Sequence, residues 1–126
     1  MKMNTDSPDK PLTGRIIGCA YIVANTLGHG FLEKVYENAL AHEIRKAGLS
    51  CEQQYAIPVK YDGVLVGDFV ADLLVEQKII VELKALSELN DVHLAQCLNY
   101  LRATRLKTCL LLNVGSASVE VKRVSL

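Results

Sequence analysis

The sequence predicts a single α/β domain, a mixed β-sheet with helices packed on it, in the order α-α-β-β-β-α-β-β. Three observations carry this. Apolar residues recur at helical spacing in three separate stretches, beginning near Thr13, Phe31 and Asn90. Strand-like segments lie between the second and third stretches, and two of them meet at Asp62-Gly63, a strong hairpin signal. Residues 108–114 are built around the apolar run Cys109-Leu110-Leu111-Leu112, the mark of a strand buried on both faces.

The elements follow in order. Residues 1–11, with Pro8 and Pro11, are expected to be a flexible tail, and residues 12–126 a single domain. In the first helix Ile16, Ile17, Ala20, Val23 and Leu27 share a face, and Gly28 and Gly30 break it. The second helix is expected over about residues 31–47, with Leu32, Val35, Tyr36, Ala39, Leu40 and Ile44 buried and Gly48 as its stop. Strands are expected over residues 51–61, 64–75 and 78–85. A helix over residues 90–104 buries Leu94, Cys97, Leu98 and Leu101. Strands over 108–114 and 119–124 close the chain, joined at Gly115-Ser116.

Composition removes several function classes. Half of the 126 residues are hydrophobic and 22% are charged, which is enough to build a core and far from a disordered composition. Fourteen basic residues balance fourteen acidic ones, which argues against polybasic binding of nucleic acid. A local basic rim drawn from Lys34, Arg45, Lys46, Arg102, Arg105, Lys107, Lys122 and Arg123 stays open. No apolar run approaches the roughly 18 residues of a membrane span, and the polar N-terminus has no signal-peptide core. No membrane partner is therefore expected, and the expected location is cytoplasmic. Cys19, Cys51, Cys97 and Cys109 contain no closely spaced pair, so they read as reduced, buried thiols, not a zinc site.

The chemistry is expected on the hairpin spanning residues 69–85. Its odd positions, Phe69, Ala71, Leu73, Val75, Ile79, Val81, Leu83 and Ala85, are all apolar. Its even positions include Asp72, Glu82 and Lys84. Side chains alternate faces along a strand. Matching the apolar faces across the hairpin requires a three-residue connection, Glu76-Gln77-Lys78, which sets Asp72 opposite Glu82. Two carboxylates so placed repel unless a cation joins them, and Mg²⁺ or Mn²⁺ suits such hard oxygen ligands. The same spacing also describes an ordinary solvated cross-strand ion pair.

Asp72, ten residues on Glu82-Leu83-Lys84, resembles the core motif of the PD-(D/E)XK nuclease superfamily. Gly30-Phe31-Leu32-Glu33-Lys34-Val35-Tyr36 resembles the motif of the GxxExxY protein family, a small branch of it. The helix His93–Leu101, with Gln96 and Tyr100 four apart, and Asn113-Val114-Gly115 resemble further elements of that family. The resemblance spans about residues 16–124. Ala71 stands where the superfamily motif has a proline-like position.

The resemblance implies a restriction-endonuclease-like core and a metal-dependent nuclease. Asp72 and Glu82 would be metal ligands, with the Leu83 backbone carbonyl completing the site and Glu33 reaching the metal or its water. Lys84 would be the catalytic lysine, and Gln96 and Tyr100 would contact the substrate backbone. The implied cofactor is Mg²⁺ or Mn²⁺. The implied partner is nucleic acid, with DNA the expected polymer, and a homodimer is one way for so small a chain to hold a duplex.

Plainer readings stand beside these roles. Glu33 fits an acid favoured by a helix dipole, Tyr36 a packing residue, and Gln96 a buried amide satisfied by backbone. His93 fits a supporting or exposed role, and Gly30 a tight turn. Two other functions compete with cleavage: a non-cleaving nuclease-fold module that binds nucleic acid or a protein, and a hydrolase of a small phosphate compound. No Walker or Rossmann glycine motif is present to support nucleotide cradling.

Overall fold

The computed structural model describes Lys2–Met3 and residues 9–126. The elements are β1 (Lys2–Met3), α1 (Lys10–Leu27), α2 (Glu33–Lys46), β2 (Cys51–Tyr61), β3 (Val64–Val75), β4 (Ile79–Lys84), α3 (Asp91–Thr104), β5 (Thr108–Asn113) and β6 (Glu120–Ser125). The expected tail over residues 1–11 lies mostly outside the described residues. Within it, Lys2–Met3 pair with β6, and Lys10 and Pro11 open α1. Proline is tolerated in a first helical turn, where an amide has no partner to lose. Among the described residues no helix is long and apolar enough to cross a membrane.

The strands form one mixed sheet in the order β1-β6-β5-β4-β3-β2. Among the described residues only β4 and β5 run parallel, and α3 supplies the crossover between them. Two cores cover the two faces. On one, Ile16, Ala20, Tyr36, Leu40 and Ile44 of α1 and α2 meet Leu73, Val81, Leu83, Leu110 and Leu112. On the other, Cys97, Leu98, Tyr100 and Leu101 of α3 meet Leu74, Ile80, Cys109 and Leu111. β4 and β5, covered twice, are therefore the apolar runs of the sequence.

The buried side of α2 differs from the expected stripe. Leu32 precedes the helix and is 81% exposed, and Val35 is 38% exposed. The helix packs through Tyr36, Glu37, Leu40, Ala41 and Ile44. Starting the helix at Glu33 and tying down Tyr36 rotates the stripe away from Leu32.

Two joints fix the loops around the C-terminal ends of β4 and β5. The fully buried Asn113 amide accepts from the backbone amides of Leu86 (2.9 Å) and Gly115 (3.1 Å). It donates to the Leu86 carbonyl (3.0 Å) and to Glu120 Oε1 (2.8 Å). Gly115 then lies so close to the chain leaving β4 that a Cβ there would overlap the backbone of Ala85 and Leu86. The overlap is with backbone, which cannot rotate aside. Gly115→Ala should cost about 1–3 kcal/mol, the usual range for overpacking, read as a lower denaturation midpoint with an unchanged m-value.

Candidate active site

The site forms where the sheet loses its regular pairing. The β3–β4 connection is Glu76-Gln77-Lys78, with Glu76 and Gln77 both left-handed, and its register runs Val75↔Ile79, Leu74↔Ile80, Leu73↔Val81. Continued by one step, it sets Asp72 opposite Glu82, as the spacing requires. The ladder, however, stops at Leu73↔Val81. On the other side of β3 the register passes from Gln53↔Leu73 to Tyr55↔Ala71, and Gln54, between them, is left-handed at φ 54°. Asp72 thus has no ladder partner on either side.

Carboxylates take the place of the missing carbonyls. The Asp72 amide donates to Glu82 Oε1 (2.9 Å), and the Leu83 amide donates to Asp72 Oδ2 (2.8 Å). Each acid spends one oxygen on a backbone amide. The other two, Asp72 Oδ1 and Glu82 Oε2, have no hydrogen-bond partner among the described residues. The N–H and C=O of a strand residue face the same neighbour, so the Leu83 carbonyl faces this gap too. The strict alternation expected along the hairpin also breaks here: Leu73 packs under α2, whereas Ala71 packs under α3.

Helix α2 delivers acids from the first face. Glu33 is its first residue. The Tyr36 hydroxyl donates to the Gly28 carbonyl (2.7 Å) and accepts from the Phe31 amide (3.2 Å), while Gly30 turns at φ 115°. A fully buried phenol therefore closes the α1–α2 loop and sets where α2 begins. Glu37, one turn further, is buried and was not singled out from the sequence. It accepts from Lys34 Nζ (3.0 Å), Gln53 Nε2 (2.7 Å) and Gln54 Nε2 (2.7 Å). Its i,i+4 spacing from Glu33 was the available signal. Its bonds to Gln53 and Gln54 anchor the stretch of β2 where pairing with Asp72 fails.

Lys84, half-buried at the end of β4, forms no ion pair among the described residues. Tyr100 is buried on α3, and its hydroxyl donates to the Val70 carbonyl (3.4 Å). Burial, then the charges of Glu82 and Asp72, push its phenol upward. Gln96 lies one turn earlier, half-buried, and its side chain hydrogen-bonds to no other described residue. His93 is a cap: its Nδ1 accepts from the Asn90 amide (3.2 Å), and the Asn90 side chain accepts from the amides of Val92 and His93. All four cysteines are buried and free.

The carboxyls oppose one another. Burial, then the charge of Asp72, holds Glu82 up to about 8, against a smaller pull from the Asp72 amide and Lys84. Burial raises Asp72 as well, partly offset by the Leu83 amide. Burial and the charge of Asp72 raise Glu33, while Lys84 pulls it down. The four groups therefore share one electrostatic environment, although they come from α2, β3 and β4. Among the described residues no three His, Cys, Asp or Glu side chains stand close enough to enclose a metal. The donor set nonetheless fits a hard divalent cation: two carboxylate oxygens without a hydrogen-bond partner, a strand carbonyl beside them, and too little positive charge.

Two outcomes follow. Tyr36→Phe should cost about 1–2 kcal/mol, because it orphans the Phe31 amide and the Gly28 carbonyl; denaturant melts read this directly. Glu82 titrates near ~4.3 when unfolded and near 8 when folded, so the native state prefers its proton. Its contribution to stability is complete below the unfolded value and is lost as pH rises toward and through 8. In EDTA the melting midpoint should fall over that interval, and Glu82→Gln, which keeps an acceptor for the Asp72 amide, should flatten the fall.

A sequence profile of the PD-(D/E)XK nuclease superfamily matches residues 10–124. No curated protein and no solved structure matched the chain. The matched region holds all three helices and the sheet from β2 to β6, in the order expected of a restriction-endonuclease-like core. With nearly the whole chain matched, the protein belongs to the PD-(D/E)XK nuclease superfamily.

Proposed function

We propose that this chain is a metal-dependent nuclease that hydrolyses phosphodiester bonds, with DNA as its polymer, and that it belongs to the GxxExxY branch of the superfamily. The observation that carries the reading is the break in the sheet at Asp72. There two carboxylates replace backbone acceptors and leave their second oxygens without a hydrogen-bond partner, beside Glu33 and an unpaired Lys84.

Asp72, Glu82 and the Leu83 carbonyl would hold Mg²⁺ or Mn²⁺, with Glu33 able to join them. Such an ion, when bound, supplies Lewis-acid stabilisation of a phosphoryl oxygen and a more acidic water. Lys84 is the catalytic lysine. Its ammonium stands where it can orient the attacking water and offset charge building on the phosphate. Glu33, with its raised affinity for a proton, can take the proton that the water loses. Tyr100 and Gln96, one turn apart on α3, face the substrate backbone, and the free amide of Gln96 is available to it.

The test is cleavage of labelled single- and double-stranded DNA and RNA with Mg²⁺ or Mn²⁺. The wild type should cut DNA. Lys84→Ala and Glu33→Gln should each lose at least ~100-fold in rate, the span of a lost acid–base or charge-stabilising group, while circular dichroism stays native. Millimolar Mn²⁺ should raise the melting midpoint of the wild type but not of Asp72→Asn. No cleavage of any polymer, together with an unmoved midpoint, overturns the reading.

A further inference from the structure

A second feature lies beside the carboxylates. A groove of about 740 Å³ separates the outer β2–β3 ribbon from the end of α3, and Lys60, Phe69, Asn99, Arg102 and Arg105 line it with Pro58. We infer that this groove carries the sugar-phosphate backbone of the nucleic-acid strand leaving the site, held by Lys60, Arg102 and Arg105, with a base stacked on Phe69. The inference rests on the nuclease reading and deepens it by assigning a path to the strand.

Several cations of this chain are committed to partners within the fold. Lys34 and Lys46 are paired with Glu37 and Glu43. Arg15 is bonded to the Ala47 carbonyl, Arg45 to the Cys51 carbonyl, and Arg123 to Thr13. Those side chains hold the fold together. Lys60, Arg102 and Arg105 form no ion pair among the described residues, and no acid lines their groove. Arg102 is steadied only by Asn99 Oδ1 (3.0 Å), a neutral partner that leaves its charge available. Three cations without an ion pair therefore line one channel in a chain of zero net charge, while Lys10, Lys78, Lys84, Lys107 and Lys122, equally without an ion pair among the described residues, lie outside it.

The channel leads to the carboxylates. Phe69 is 49% exposed, and its ring is tilted at 57° against that of Tyr100, with centroids 6.1 Å apart. Tyr100 senses the charges of Glu82 and Asp72. Along β3, Phe69 is three residues from Asp72, about 10 Å at strand rise. A half-exposed aromatic flanked by free cations is the arrangement that takes a single strand, with the ring supporting a base and the cations tracking phosphates. Phe69 is not needed for the core, since Ala71 and Leu74 fill that face.

The test is fluorescence anisotropy with a labelled single-stranded DNA oligonucleotide in EDTA, over a range of salt, alongside the cleavage assay with Mn²⁺. Lys60→Gln, Arg102→Gln and Arg105→Asn each remove one charge, and asparagine suits the left-handed backbone of Arg105. Each should weaken binding ~3–10-fold and lower the salt slope by ~0.7. Phe69→Leu should weaken binding without changing the slope. Lys10→Ala, remote on α1, should change neither. Unchanged affinity and slope in the triple variant overturn the groove, and if that variant still cuts like the wild type the nuclease reading survives alone. Charge-dependent binding through the groove without any cleavage supports the groove and removes the nuclease reading. A thermal melt of each variant should match the wild type, because none of these side chains is buried.

Discussion

The site depends on keeping one buried carboxylate, Glu82, and one half-buried carboxylate, Asp72, at a break in a β-sheet. Ladder pairing would normally satisfy the amides of Asp72 and Leu83 with backbone carbonyls. Here the left-handed Gln54 removes one neighbour, and the end of the β3–β4 register removes the other. Unpaired buried amides are costly, and the two acids relieve that cost by accepting from them. The same bonds fix both side chains to the backbone. Burial and mutual repulsion then hold Glu82 far above the ordinary range of a glutamate. Orientation and electrostatic tension therefore come from one local defect.

Much of the sequence that looks like a functional motif serves to place that defect's neighbours. Tyr36 closes the loop that starts α2 at Glu33, so its value is positional. Glu37 spends its charge on Lys34, Gln53 and Gln54, which ties α2 to the irregular stretch of β2. On the far side of the sheet, Asn113 and Gly115 lock the chain leaving β4 just beyond Lys84. Each joint is built from side chain to backbone, which fixes a loop more tightly than apolar contact could.

The charges follow the same economy. Lys34 and Lys46 are paired with acids, and Arg15 and Arg45 are bonded to backbone carbonyls. Lys84 differs from these four: its charge acts on three acids without forming a contact pair with any of them. A tight ion pair would have neutralised one acid and removed the need for a further cation.

The sequence by itself determined the element order, the three-residue turn at Glu76–Lys78 and the facing of Asp72 and Glu82. These are local: hydrophobic period, turn chemistry and strand parity need only neighbouring residues. It also carried enough of the superfamily's motifs, in order, to point to the family that the profile match shows. It did not contain the bulk of α2's orientation, which left Leu32 and Val35 exposed against expectation, nor the burial of Glu37. Those follow from where Tyr36 meets the Gly28 carbonyl, a contact made by a loop closing in space. The failure of β-pairing at Asp72 was equally illegible, since it needs β2, β3 and β4 together. The influence of Asp72, about forty residues away, on Glu33 was not legible from local pattern either, and only the family resemblance put Glu33 near the acids. Whether charges at long sequence separation share one environment is decided by packing, because a linear pattern fixes which face a side chain occupies but not what the tertiary fold brings against it.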